Sequence, residues 1–501
     1  MDDNTSDGFD LDMVSVGAGH FIGGLHVCGT GPSIEVRRPS DGRVYQELST
    51  ATLADVDTAV ENSWQAFRSS GWARTPPRER ARVMRRWADL IEADITRLAQ
   101  LEAIGSTRPF VEARVWDIPF TAEGIRFFAE FADKIGGEVA ATATDKLGFT
   151  LNEPYGVVGA IAPWNFPLVM ASWKIAPAIA AGNAVVLKPS ELTPFSVVRL
   201  AELAITAGLP PGIFNIIQGD GRIAGDGLCR HPKVSKITFT GSTRTGAAIM
   251  AACAETGPKP VTLELGGKSP QIVFSDALNI DQVSAMVARA VSGNAGQVCV
   301  AGSRLIVQKN VAEQVVERIA ANFAALKPGP TWRSDSTLSP IISSDQFDRI
   351  DSIVQRTLDT GAELVLGGSR TPTPRDGAYY LPTILSRVNS TSEAVREEVF
   401  GPVLTVQTFE VEEEAIHFAN DTVYGLAAGV HTRDLTKALR AVRQLDAGTV
   451  WVNRYGRSND YILPTGGYKR SGIGKDLGRQ SYEANLRTKT VLIELADIDH
   501  P

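Results

Sequence analysis

The chain has 501 residues, 43% hydrophobic and 21% charged, with a formal net charge of −7. It is long enough to bury more than one hydrophobic core, so two or three domains are expected. Its acidic balance excludes a broad electrostatic attraction to nucleic acid or to an anionic membrane surface.

The N-terminal MDDNTSDGFDLDMVSVG is acidic and lacks the basic-then-apolar order of a secretory signal. No apolar run reaches the roughly 18 residues of a membrane span, so a soluble cytoplasmic protein without membrane partners is expected. Residues 1–20 read as a flexible tail. FIGGLHV and IEVRRPSDGRVYQEL read as short strands around turns. From 53 to 104, and again over 119–136, apolar residues recur at helical spacing with Arg and Glu on the other face. From 157 the pattern becomes apolar runs separated by helices: GVVGAIAP, AVVLKPS, FNIIQG and KITFTG, with helices around 169–181, 194–207 and 222–230. That alternation predicts a parallel sheet covered on both faces. A second alternating block holds QIVFSD, RLIVQ, AELVLGG, LTVQTFE, AAGVHT and GTVWVN, which predicts a second α/β domain. GFTLNEPYG near 148 and TKTVLIEL at 488–495 have strand character outside both blocks and suit pairing between subunits. TPTPRDG at 371–377 reads as an exposed loop.

Cys28, Cys229, Cys253 and Cys299 are scattered, without the spacing of a metal site or a disulfide framework, so reduced thiols and no metal are expected. SGNAGQVCVAG, 292–302, sets Cys299 among small residues. Such neighbours let another molecule approach the sulfur, as a nucleophile requires, and equally suit a tightly packed buried turn. A free thiol is only about 3% thiolate at pH 7, so a nucleophilic Cys299 needs assistance nearby. Its own N–H is a candidate oxyanion donor. Asn165, between Trp164 and Phe166 and bounded by Pro163 and Pro167, is a second donor or a turn residue. Glu264, closing a strand in LELGGKSP, is a candidate general base or a helix cap. Gly241 and Ser242 in FTGSTRTG lie between a strand and a helix, where backbone N–H groups hold phosphate. GDGRIAG, with Gly219, Gly221 and Gly225, is one residue longer than the usual G-x-G-x-x-G. Lys188 and Glu191 in LKPSE, and Glu398 and Phe400 in EEVFGPV, offer ribose acceptors and a packing surface for a flat ring, or else caps and core.

Taken in order, PWNFP, KPSE, FTGST, LELGGKSP, GQVC, EEVFGPV and GGYKRSGIGKDLG resemble the motifs of the NAD(P)-dependent aldehyde dehydrogenase superfamily, from about residue 21 to 496. The resemblance implies an α/β fold of two doubly wound parallel-sheet domains plus a small β extension. The NAD-binding domain would span 21–137 and 157–266, the catalytic domain 267–466, and the oligomerisation extension 138–156 and 480–496. A homodimer or homotetramer is implied. Cys299 would attack the aldehyde, Asn165 and the Cys299 N–H would hold the oxyanion, and Glu264 would activate water to release a free carboxylic acid. Lys174 and Asp476 match relay positions, although glutamate is common at the second.

For the cofactor, the resemblance puts the adenosine ribose on Lys188 and Glu191, the pyrophosphate near Ser242 and the nicotinamide ribose on Glu398. It adds Ile161, Pro163, Trp164, Ser190, Gly221, Gly225, Phe239, Gly241, Leu265, Gln346 and Phe400 as further cofactor contacts. An acid at Glu191 repels a 2′-phosphate, so NAD is expected, with NADP as the alternative. Asp117, Phe120, Phe166, Met170, Trp173, Val298, Tyr455 and Thr465 would line the aldehyde tunnel. Thr465 stands where an aromatic residue is frequent, so the tunnel is expected to be wider or more polar. RYGRSNDYIL presents Tyr455, Asp460 and Tyr461 nearby. Trp116 with Asp117 resembles a pair seen in amino-aldehyde-oxidising members, and an acid at the mouth would favour a cationic tail. Alternatively, Asp117 caps a helix beginning at Pro119. Phe120, where some of those members carry a second acid, weighs against the amino-aldehyde reading. An NADP-preferring semialdehyde dehydrogenase and a non-catalytic member of the same fold are the other readings. None of the six histidines sits in a motif suited to a cysteine hydrolase.

Overall fold

The strands Val157–Ile161, Ala184–Lys188 and Phe214–Ile216 are buried at every residue, as expected of parallel strands covered on both faces. With Val234–Thr240 and Val261–Glu264 they form the parallel centre of an eight-stranded sheet in this computed structural model. The structure describes residues 9–495, except 16, 18, 373, 375, 459 and 460. Asp460, the start of the tail, position 496 and part of the 371–377 loop therefore lie outside the described residues.

At one edge the hairpin His20–Ile22 and Leu25–Val27 joins Phe214–Ile216 in antiparallel register. At the other, Gly472–Ile473 pairs antiparallel with Leu263 and Glu264, and the Leu265 N–H donates to Ser471 O at 2.9 Å. This short strand, which periodicity did not reveal, ties the GGYKRSG segment to the end of the Glu264 strand. Helices Leu53–Ser69, Pro77–Ala93, Ile95–Gly105, Ile118–Phe131, Pro167–Ala180 and Ser196–Ala207 pack around this sheet. A capping box between Thr52 and Asp55 opens the first of them. A π-turn over Ala113–Asp117 runs straight into Ile118–Phe131, and Asp117 is fully buried there.

The expectation that residues 1–20 are a loose tail is corrected in part. Leu11 and Val14 are buried against Leu101, Ile104 and Trp332, because the apolar side chains of this acidic segment find a groove to fill.

A second, seven-stranded sheet runs Glu363–Leu366, Thr383–Ser386, Val403–Phe409, Arg304–Gln308, Pro270–Val273, Ala427–His431 and Thr449–Val452. All neighbours are parallel except the first pair. Outside both sheets, Leu486–Glu494 pairs antiparallel with Lys146–Pro154, from Leu486 opposite Pro154 to Glu494 opposite Lys146. These two segments, expected to seek strands of another subunit, pair first with each other, because each supplies the hydrogen-bond ladder that the other lacks. Leu147, Leu151, Leu492 and Ile493 of this ribbon remain exposed. Among the described residues, no helix is long and apolar enough to cross a membrane.

Candidate active site

The loop carrying Cys299 is set by a backbone that few sequences adopt. After helix Ile280–Ser292 ends, Asn294 and Ala295 take φ of 48° and 52°, in the left-handed region that costs non-glycine residues energy. Side-chain hydrogen bonds hold them there. Asn294 Nδ2 donates to Asn165 O at 3.0 Å, and Asn294 Oδ1 accepts from the Thr107 hydroxyl at 2.8 Å. Gln297 Nε2 donates to Asn294 O and Pro340 O, and its Oε1 accepts from Ile342 N–H. Close approach explains the glycine opposite: a Cβ on Gly267 would lie 2.4 Å from Cys299 O.

Cys299 stands where two cavities meet. One, of about 360 Å³, is lined by apolar and aromatic side chains. The other, of about 570 Å³, opens along the carboxyl edge of the first sheet. Asn165, Thr240 and Cys299 bound both. Asn165 is buried, and its Nδ2 donates to Gln297 O at 2.9 Å. A carboxamide has two N–H donors, so this bond ties Asn165 to the cysteine loop while one donor remains.

Glu264 lines the smaller cavity from its strand end. Its Oε1 has no hydrogen-bond partner among the described residues, and a Cβ on Gly466 would lie 2.7 Å from that oxygen. Burial pushes its carboxyl well above the usual carboxylate range, and the charge of Asp476 adds to the shift. Beside it, Lys174 Nζ lies 2.5 Å from Asp476 Oδ2, with both side chains buried. Lys236, also buried, donates to Thr262 Oγ1 at 2.9 Å, and burial lowers it to about 8. Burial likewise pushes the Cys299 thiol up to about 12. Glu398 and Glu264 add to that rise, while Arg457 and the Val300 N–H oppose it.

The larger cavity brings together Pro163, Trp164, Gly241, Ser242, Leu265, Gln346, Glu398 and Phe400. Ser242 caps helix Thr243–Glu255 by accepting from Thr245 N–H, and the helix start opens on this cavity. Gln346 donates to Val399 O and Phe400 O, which steadies the turn where Phe400 sits at φ 55°. Phe400 meets the Trp164 ring edge-on at 5.2 Å. Glu398 Oε1 accepts from Gly267 N–H at 3.0 Å, and burial lifts its carboxyl to about 7.

Ile161, Lys188, Ser190, Glu191, Gly221, Gly225 and Phe239 do not line that cavity. They continue along the same sheet edge: Ile161 lies in register with both Lys188 and Phe239, and Gly225 lies beside the Ile161 side chain. Lys188 Nζ donates to Glu191 Oε2 at 2.8 Å.

Of the proposed aldehyde contacts, Phe166, Met170, Trp173, Val298, Tyr455 and Thr465 line the smaller cavity. Asp117 and Phe120 do not. Asp117 faces Arg108, whose Nε and Nη2 lie 2.7 and 3.2 Å from its carboxylate, so it is neither an acid at the mouth nor a side-chain helix cap. Phe120 is buried behind Trp116, with ring centres 4.8 Å apart. Tyr461 donates to Phe120 O and packs on that ring, and Tyr455 donates to Val300 O beside the cysteine.

Residues that motif reasoning passed over also line the cavity. Arg457 donates to Thr465 Oγ1 and lies over Trp173, while Arg108, Arg289 and Glu112 contribute charge. The small Thr465 was the available signal: room left by a missing ring is filled here by a guanidinium. Lys174 is part of the buried pair behind Glu264 and lines neither cavity.

Two parallel α/β sheets with a thiol at the junction of two cavities define a class of protein that comparison identifies. The model of the aldehyde dehydrogenase family matches residues 26–491. An aldehyde dehydrogenase of Aspergillus niger is 42% identical over 480 residues, covering 96% of this chain and 95% of that protein. An indole-3-acetaldehyde dehydrogenase solved with NAD+ is 39% identical, covers 97% of this chain and 98% of its own, and superposes with a TM-score of 0.95. The aldehyde dehydrogenase KauB from Pseudomonas aeruginosa is 39% identical, with coverage of 96% and 97% and a TM-score of 0.94. The chain belongs to the aldehyde dehydrogenase family, and its activity is aldehyde oxidation.

Proposed function

We propose that the protein oxidises an aldehyde to the free carboxylic acid with NAD+, through a covalent intermediate on Cys299. The observation that carries this reading is that one thiol borders both cavities while Asn165 and Glu264 flank it.

The larger cavity suits a dinucleotide on its own features. A helix start favours negative charge, Glu398 is a half-buried acid fit to accept from a hydroxyl, and the Trp164 and Phe400 rings offer flat surface. Pro163, Trp164, Ser242, Leu265, Glu398 and Phe400 would hold the nicotinamide end, and Lys188 with Glu191 the adenosine ribose. NAD+ bound there supplies the hydride acceptor for the oxidation.

The Cys299 sulfur attacks the carbonyl carbon from the junction. The carbonyl oxygen becomes an oxyanion that the free Asn165 N–H and the Cys299 N–H stabilise. The thiol gives its proton to solvent before the carbon–sulfur bond forms; burial holds that proton on sulfur, and Arg457 lowers the cost by favouring the thiolate. After oxidation, Glu264 takes a proton from water attacking the acyl group on Cys299, which releases the acid and the free thiol. Glu264, held protonated by burial, must first pass its own proton on, and the Lys174–Asp476 pair beside it is the relay we assign. The exposed outer edge of Leu486–Glu494 supports pairing with a second copy as a dimer or tetramer.

The test is reduced-cofactor absorbance with aliphatic and aromatic aldehydes. Cys299→Ala should lower turnover by about three orders of magnitude or more. Normal turnover by that variant would remove the nucleophile assignment. Glu264→Gln should keep a single burst of reduced cofactor while slowing steady-state acid release.

A further inference from the structure

The two donors assigned to the oxyanion come from separate segments, so tertiary contacts set the distance between them. Asn165 follows the strand Val157–Ile161 of the first sheet, and Cys299 follows the helix Ile280–Ser292. One buried carboxamide spans the two segments. Asn294 Nδ2 donates to Asn165 O at 3.0 Å and to Gln297 O at 3.4 Å, and Gln297 O also accepts from Asn165 Nδ2.

Both partners of Asn294 Nδ2 are carbonyls, which only accept, so the Asn294 oxygen faces the other way and takes a donor there. The Thr107 hydroxyl supplies it at 2.8 Å. Thr107 is fully buried and borders neither cavity. It belongs to a third segment, just past helix Ile95–Gly105, where Ser106 Oγ donates to Glu102 O and accepts from Arg108 N–H. The next residue braces the Asn165 side. The Arg108 guanidinium lies 4.5 Å from the centre of the Phe166 ring, and the buried Asp117 carboxylate holds it there. Residues 106–108 thus brace the cysteine loop through Thr107 and the Asn165 turn through Arg108.

The hydroxyl matters because the backbone of Asn294 depends on its contacts. Its φ of 48° is one that asparagine tolerates, and such a conformation persists only where the surroundings over-determine it. Without the hydroxyl, Asn294 Oδ1 becomes a buried acceptor with no partner, and the carboxamide gains by turning toward another donor. Turning releases Asn165 O and Gln297 O together, and both oxyanion donors shift. A donor stabilises the developing charge from about 2.7–3.1 Å, and a misplacement of about 1 Å costs on the order of 100-fold.

We propose that Thr107 is a positioning residue for the oxyanion hole: acting through Asn294, it fixes the separation of the Asn165 and Cys299 donors. This rests on the reaction proposed above, and the test tells the two apart.

Two reactions of Cys299 without cofactor, in a Cys28→Ser background that removes the exposed thiol, isolate the effect. With iodoacetamide the thiolate forms a carbon–sulfur bond and expels iodide, with no oxyanion. With p-nitrophenyl acetate it attacks the carbonyl carbon, passes through an oxyanion, and expels p-nitrophenolate to leave an acetyl group on sulfur. Both begin from the thiolate, so the cost of ionising the thiol cancels between them. Thr107→Val keeps the shape of the side chain and removes the hydroxyl. Its nitrophenolate burst should slow about tenfold or more, with alkylation changed by less than about twofold. Thr107→Ser, which keeps the hydroxyl, should recover most of the burst rate. If the valine variant does not fold, Thr107→Ala makes the same comparison. Asn294→Gly takes the same φ without the carboxamide, so its burst should already be slow, and Thr107→Val added to it should slow it no further. Unchanged acylation without the hydroxyl, or equal loss of both reactions, overturns the proposal. So does failure of serine to rescue, or a further several-fold loss on top of Asn294→Gly. Acylation that survives Cys299→Ala would instead overturn the reaction itself, because the thiol measured would not be the one at the junction, and the hole would fall with it.

Discussion

Lys174 and Asp476, 302 residues apart in sequence, meet at 2.5 Å in the protein interior. Asp476 is one carbon shorter than the glutamate that its motif usually carries, yet its carboxylate reaches the ammonium directly. Both charges of the pair act on the proton affinity of Glu264, Asp476 raising it and Lys174 lowering it. Removing one partner leaves the other buried and uncompensated. Asp476→Asn should therefore destabilise the fold by about 3–5 kcal/mol, read as a lower midpoint in chemical denaturation. A relay role goes further: the variant should retain the burst of reduced cofactor and slow acid release. A fold merely weakened would lose both phases together. Asp476→Glu, which keeps the charge, should recover most of each.

The chemistry of Cys299 before any ligand binds is equally open to measurement. Burial, with Glu398 and Glu264 nearby, pushes the thiol up to about 12. Its rate of alkylation by iodoacetamide, in a Cys28→Ser background that removes the exposed thiol, should climb about tenfold per pH unit from pH 7 to 10. Glu398→Gln should shift that profile to lower pH, and Arg457→Gln to higher pH. A plateau reached below about pH 9 would contradict the burial argument, since that is where an ordinary thiol levels off.

The sequence pattern made much of this legible and left particular parts hidden. The unbroken apolar runs, such as VVGAI and the AVVL that precedes Lys188, announced a covered parallel sheet because nothing in them favours one wet face. Cys299, Asn165 and Glu264 stood out because each lies in a motif of small or rigid residues. Asp117 was misplaced because a local pattern, an acid before a proline, says nothing of a guanidinium arriving from Arg108 across a π-turn. The Gly472–Ile473 strand is too short for any periodicity, and only its hydrogen bonds to the Glu264 strand define it. Arg457 escaped because its anchors, Trp173 and Thr465, are set by tertiary packing. The buried part of the tail escaped because Leu11 and Val14 are isolated apolar residues in an acidic stretch.

Cofactor choice turns on Glu191, whose carboxylate is held by Lys188 at 2.8 Å. In our reading of the adenosine site, this acid repels a 2′-phosphate while its partner lysine is already engaged. Glu191→Thr removes the repulsion and releases the ammonium to meet a phosphate. The ratio of kcat/KM for NADP over NAD should rise about tenfold or more, mostly through KM, as expected when one ammonium–phosphate hydrogen bond forms. A wild-type enzyme that already prefers NADP would show that Glu191 does not face the ribose.

Away from the thiol, Glu102 is buried in helix Ile95–Gly105, and burial raises its carboxyl to about 8, with the Asp117 charge adding to the shift. Unfolded, the same group titrates near the ordinary value for glutamate. Between that value and about 8 the folded state holds a proton that the unfolded chain has lost. Stability therefore falls as pH rises through this window, by at most about 1.4 kcal/mol per unit from this group, and levels off once the folded form also ionises. The contribution is fully favourable only below the unfolded value. Glu102→Gln cannot ionise, so its denaturation midpoint should gain on wild type steadily from pH 5 to 8 and hold that gain above. The decisive quantity is the difference between the two proteins at each pH, because other titrating groups cancel in it. A difference that stays constant across the range would mean that Glu102 is ionised in the folded protein at neutral pH, with Arg108 rather than burial governing its charge.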